Sequence, residues 1–187
     1  MIRGEIVVEV IDSKQLDHHG LIAVVIKEIG LSVLIDGFLP LTKRSRVSHG
    51  QAISAMLLNS MGFTSRPLSL TPQFFSSKAL DVLFTGDIKA EDLNRHRLGR
   101  CLDAIYDYGC DKLFSEISHK ICNQEGIDRS VVSLDTSSFK VTWAYDRDTD
   151  EHEITISRDY SKDHRPDLKQ VVLELLVSQD GGYSTNE

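Results

Sequence analysis

Over roughly the first 130 positions apolar residues recur at the three-and-four spacing of helices. After Asp128 they switch to the every-second-residue spacing of strands. A short alternating stretch, Glu5 to Ile11, comes first, with Ile6, Val8 and Val10 on one face. Asp17 is then placed to cap a helix whose stripe is Leu21, Ile22, Val25, Ile26 and Ile29, ended by Gly30. Ser48-His49-Gly50-Gln51 has the spacing of a capping box, followed by Ile53, Met56, Leu57 and Ser60 on one face, with Gly62 as the stop. Thr71-Pro72 sets a cap before a proline at the first helical position, with Phe74, Phe75, Leu80 and Leu83 before Gly86. Asn94 caps a fourth helix carrying Leu98, Cys101, Leu102, Ile105 and Tyr106, up to Gly109. Asp111 opens a fifth with Leu113, Phe114, Ile117 and Ile121, closed by Gly126.

Beyond Asp128 the run Val131 to Asp135 predicts a short strand ending on a carboxylate. Phe139, Val141, Trp143 and Tyr145 alternate as a half-buried strand, Asp146 to Glu153 is turn-like, and Ile154 and Ile156 resume the alternation. Val171 to Val177 is apolar and fits a central strand or a buried helix, with length and the valines favouring strand, and Asp180-Gly181-Gly182 reads as a hairpin turn with too short and polar a tail to supply an equal partner. The pattern is that of an α+β chain: an N-terminal all-helical domain over 1–128, then an incomplete sheet over 129–187.

At 187 residues the chain can bury a core without disulfides or metal staples. The longest uninterrupted apolar run is Leu21 to Ile26, which predicts no membrane-spanning helix. Without a leader or lipidation signal, and with Cys101, Cys110 and Cys122 lacking a CxxC spacing, a cytoplasmic protein with reduced thiols is expected. The net charge of −7 is concentrated late: residues 131–187 hold 12 acidic against 6 basic side chains. This excludes a globally basic nucleic-acid binder and leaves room for a local basic patch or an acidic metal site.

Asp135, followed by Thr136-Ser137-Ser138, suits a metal ligand presented at a strand end; a carboxylate capping the turn is the alternative. Between two strand-like stretches, Tyr160 to Gln170 is densely charged. Lys162, Arg165 and Lys169 can hold phosphate there, with Asp163 and Asp167 orienting them and His164 as a base, or the segment is a solvated loop with weak internal ion pairs. Two basic clusters lie among the helices: Lys43, Arg44 and Arg46 before the Ser48 cap, and Arg95, Arg97 and Arg100 with His96 in the first turns after Asn94. Cations on one face beside a helix start suit phosphate contacts, and plain solvated surface suits them equally. His18 and His19 point to different helix faces and read as capping-region surface. Phosphate-loop, G-x-S-x-G, HExxH and zinc spacings are absent from the sequence.

Three stretches together resemble insertion-sequence transposases of the DDE, RNase H-like type: Leu16 to Ala23, Leu134 to Phe139, and Tyr160 through Gln170 into Val171. Val47 to Pro67 and Asn94 to Asp103 resemble the same branch, whose helical N-terminal region is catalogued as a domain of unknown function. The likeness runs over nearly the whole chain up to Gly182. It implies that residues 129–187 are the opening strands of an RNase H-like core, with Asp135 as the first of three carboxylates. In complete members those carboxylates hold two Mg²⁺ ions about 4 Å apart for attack on a phosphodiester. The other two carboxylates lie further downstream in the family, so the expectation is a truncated chain that is catalytically inactive and does not hold Mg²⁺ stably. The implied partner is duplex DNA at element ends, together with a second copy of the chain or the full-length transposase, which a non-enzymatic module of this kind would inhibit. No membrane partner is implied. An interaction domain unrelated to transposition is the remaining alternative.

Overall fold

In a computed structural model the described residues are 13–14, 16–41, 45–62, 66–141 and 169–178. Seven α-helices and two strands run through them: α1 (His19–Glu28), α2 (Leu31–Phe38), α3 (His49–Ser60), α4 (Thr71–Phe75), α5 (Leu80–Leu83), α6 (Arg95–Tyr108), α7 (Cys110–Gln124), β1 (Val132–Val141) and β2 (Lys169–Ser178). The chain divides into two units, 1–113 and 114–187. None of the described helices is long and apolar enough to cross a membrane.

The first unit is built around α3. Its start is fixed locally: Ser48 Oγ accepts the Gln51 N–H at 3.1 Å, and Gln51 Oε1 accepts the Ser48 N–H at 2.8 Å. These two bonds complete the capping box read from the sequence. Small residues then let neighbours approach. Ala52, Ala55 and Leu58 are fully buried, and α2 and α6 both pack against this helix. The closest approach is at Gly50, where an added Cβ would lie 2.0 Å from the Ser32 carbonyl oxygen of α2. Ser54 Oγ donates to the Gly50 carbonyl at 2.8 Å, so the 2.8 Å contact between Ser32 Oγ and Ser54 Oγ is donated by Ser32. Phe75, Leu83, Phe84, Leu93 and Leu98 close the rest of the core. Phe74, Phe75 and Phe84 meet there in successive edge-on ring contacts.

Several elements differ from the periodicity. Asp17 does not cap α1; the cap position is His18, in helical geometry, and Asp17 takes a left-handed φ of 48°. Helix α2 is unforeseen, because Gly30 at φ 65° lets a second helix begin at once, with no polar break to mark it. The helix expected over 71–86 is broken into α4 and α5 by a turn at 76–79, and Thr71, with no side-chain cap bond, lies inside α4. On α3 the buried face is Ala52, Ala55, Leu58 and Asn59, one residue off the Ile53, Met56, Leu57 stripe.

In the second unit β1 and β2 pair antiparallel, from Val132 opposite Ser178 to Val141 opposite Lys169. Among the described residues the sheet has these two strands, and the chain is mostly helical. Asp135 is mid-strand, not at a strand end, because the ladder runs on through Thr136-Ser137-Ser138. Val132 and Leu134 are exposed, and so are Leu173, Leu175 and Val177, which pair with the alternate residues of β1. The segment before β1 is tied by Ser130, whose N–H and hydroxyl donate to the Asp128 carboxylate at 2.8 and 2.7 Å. The expectations for Glu5 to Ile11, Trp143 to Ile156 and the Asp180 turn lie outside the described residues.

Gly50→Ala is expected to destabilise the protein by about 3 kcal/mol, since a backbone oxygen in a packed helix pair cannot swing aside. Urea unfolding measures this, and a variant as stable as the parent would show that α2 and α3 do not pack at this distance.

Candidate functional site

The N-terminus of α6 is fixed by Asn94, whose Oδ1 accepts the N–H groups of His96 and Arg97, both at 3.1 Å. Leu98 and Cys101 turn the helix inward, and Arg97 goes in with them, only 8 % exposed. Its Nε donates to the Val47 carbonyl at 2.9 Å, just ahead of the Ser48 cap of α3. One turn on, Cys101 Sγ donates to the His49 carbonyl at 3.6 Å. The two contacts clamp the start of α6 against the start of α3.

Between them opens a cleft of about 390 Å³, lined by Ser45, Arg46 and Val47 on one side and by Asp92, Asn94, His96, Arg97 and Arg100 on the other. Arg46, His96 and Arg100 are exposed and Arg97 is not. Burial, and secondarily the neighbouring Arg100, hold the Arg97 pKa below the ordinary arginine value, with Cys101 and Asp36 opposing. The guanidinium nonetheless stays charged at any physiological pH. Its Nη2 is buried without a hydrogen-bond partner. Burial pushes the Cys101 thiol up to about 11, so this cysteine is a packing residue with no thiolate chemistry. All three cysteines are free thiols.

Arg46, Arg97 and Arg100, drawn from the two basic clusters, thus converge on one cleft. Arg95 is exposed at the first position of α6 but does not line it. Lys43, Arg44, Lys162, Asp163, His164, Arg165 and Asp167 lie outside the described residues, and Lys169 opens β2 opposite Val141. Asp135 stands opposite Leu175, and the nearest described acidic position, Glu174, pairs with Thr136. Among the described residues no group of three His, Cys, Asp or Glu side chains is placed to hold a metal.

A second polar cluster was not legible in the sequence. The turn after α4 brings Lys78, 8 % exposed, to within 2.7 Å of Asp17 Oδ2, and the hydrogen bond from Lys78 holds the Asp17 carboxyl below the usual carboxylate range. Lys78 Nζ also sits 5.5 Å from the centre of the Phe74 ring. His18 Nε2 donates to the Met61 carbonyl at 2.9 Å. His19 is not the surface residue expected: it is 3 % exposed and edge-on to Phe74, with both ring nitrogens buried and the Leu16 backbone beside its ring. Nothing in the local pattern pairs position 17 with position 78, so only the fold reveals the cluster.

Burial is the chief cause that lowers the pKa of both His19 and His49 from 6.5. The native state therefore releases these protons before the unfolded chain does, and the unfolded chain binds more of them as pH falls below about 6.5. Stability is expected to be complete above that pH and to decline below it, through the window down to the two native values. Urea midpoints at successive pH values test this. His19→Leu should flatten the decline, whereas a midpoint that does not move with pH would contradict it.

No curated protein and no solved structure matches the chain. A family model described as a domain of unknown function (DUF4277) matches residues 11–119. That segment contains the arginine cleft and the polar cluster around Lys78 and the buried His19, and stops short of the strands. With more than half of its length matched, the chain belongs to this DUF4277 family.

Proposed function

We propose that this protein comes from an insertion-sequence transposase and that its helical domain binds DNA through backbone phosphates at the start of α6. One observation carries the reading: arginines some fifty residues apart, Arg46 on one side and Arg97 and Arg100 on the other, line a single cleft beside a capped helix N-terminus. Cations grouped at a helix start are what phosphate contacts require. The net charge of −7 does not oppose it, because the excess acid lies in residues 131–187. The transposase assignment rests on the resemblance of Leu16–Ala23, Leu134–Phe139 and Tyr160–Gln170, and Asp135 enters it as the first carboxylate of an RNase H-like core. The role proposed for the chain is binding, and no cleavage step is assigned to it.

A second role, assembly with another copy or with a full-length transposase, is favoured by the large apolar side chains exposed on α1 and α2, among them Leu21 and Val33 at 72 % and 76 %.

Duplex binding by the purified protein is expected to weaken steeply with salt, each phosphate contact contributing about 0.9 to the slope of log K against log salt. Arg46→Gln, Arg95→Gln and Arg100→Gln, all at exposed positions, should each reduce that slope by about one contact. Fluorescence anisotropy over a salt series measures it. Absence of duplex binding, or slopes unchanged in all three variants, would overturn the proposal.

A further inference from the structure

We infer that the cleft between residues 45–47 and the start of α6 is a seat for one phosphate group, with the Arg97 guanidinium at its inner end and Arg46 and Arg100 at its rim. Phosphate as the ligand follows from the site itself. That the phosphate is a DNA phosphodiester rests on the function proposed above.

The inner arginine is the starting point. Arg97 is more than nine-tenths buried, and among the described residues no carboxylate comes within ion-pair distance of it. The Asp36 carboxylate acts on it only from beyond ion-pair distance, and a buried charge without a direct ion pair is strongly unfavourable, so proteins that keep one pair it or present it to a ligand. Its Nε bond to Val47 fixes the guanidinium plane, while Nη2 has no partner. Arg97 is thus held rigidly, with donor capacity unspent, in the lining of the cleft.

Arg100 adds a second cation one turn later on the same helix. Like charges at this spacing repel, and an anion between them reverses the sign of the interaction. Arg46 supplies a third cation from across the cleft. Helix α6, fourteen residues long, turns the positive end of its dipole toward the same place. Asp92 is the one carboxylate in the lining, and its Oδ2 accepts the Lys89 N–H at 3.1 Å. Three guanidinium groups against one engaged carboxylate leave the cleft clearly positive. Planar forks that bind two oxygens at once select a tetrahedral oxyanion over chloride.

The test uses the full chain and inorganic phosphate, compared with sodium chloride at equal ionic strength. Phosphate is expected to move the backbone amide resonances of residues 45–47 and 94–100 saturably. Arg100→Gln and Arg46→Gln should each weaken that binding by about tenfold or more. Arg97→Lys, which keeps charge and loses the fork, should weaken it also. No saturable response to phosphate overturns the inference whatever DNA does. An equal response in the parent and in both exposed-arginine variants overturns it too. A duplex that displaces phosphate identifies the phosphodiester as the source. Phosphate that binds while no duplex does leaves the seat standing as a site for free phosphate and removes the DNA reading alone.

Discussion

The Arg97 side chain, reaching from α6 to the Val47 carbonyl, is the contact on which the helical unit depends. A guanidinium enters a protein interior only if something there repays its lost hydration. Part of that return is the Nε bond, which satisfies a backbone oxygen at a fully buried residue. Another part is packing: the arginine sits in the same turn as Leu98, and Cys101 follows one turn later, so the charged side chain travels into the core with the apolar stripe. The consequence is geometric. The start of α6 cannot slide along the start of α3 without breaking the Arg97 and Cys101 contacts together, and the cleft between them keeps its shape.

The same economy governs α3. Its first turn must satisfy backbone N–H groups that have no partner within the helix. Ser48 takes that of Gln51, and Asp36 Oδ1 of α2 takes that of Gly50 at 2.7 Å. An acidic residue from a neighbouring helix therefore serves as a second cap, and it can reach only because Gly50 has no side chain to hold α2 away. Close packing and capping are one requirement at this point. Asp36 acts on the charges of both Arg97 and His49, so the junction is polar although it lies within the core.

What the sequence made legible was local. The caps at Ser48 and Asn94 were read correctly because a cap is a bond between residues two or three apart. The strand over Val171 to Val177, favoured over a buried helix, is the observed one because length and β-branching are properties of the segment itself. Features that depend on distant chain were missed. The burial of His19 follows from Phe74 and Lys78 arriving from the far side of the unit. The face that α3 buries follows from small residues admitting α2, where a count of large apolar residues would choose otherwise. Asp135 was expected at a strand end because the hydroxyl run after it resembles a loop. Paired opposite Glu174, Leu173 and Val172, that run continues the ladder. The arginine clusters fell between these cases: each was visible as a basic segment, but their meeting at one cleft was a property of the fold.

That meeting is how an acidic chain can offer the anion site proposed for it. A field screened over about 10 Å at physiological salt is set by the nearest few charges, so the composition of residues 131–187 has little bearing on a cleft formed by residues 45–100. Within the cleft the decisive quantity is how far desolvation amplifies each charge. An arginine at the rim keeps its water until the anion arrives, and then contributes a charge-assisted hydrogen bond. Arg97 has surrendered most of its hydration already, so an incoming oxyanion need displace little water from it, and the interaction acts at a lower effective dielectric. In the proposed seat the exposed arginines close the rim and the buried one holds the inner end. The sequence, which writes all of them with the same letter, does not separate the two roles; the Val47 carbonyl does.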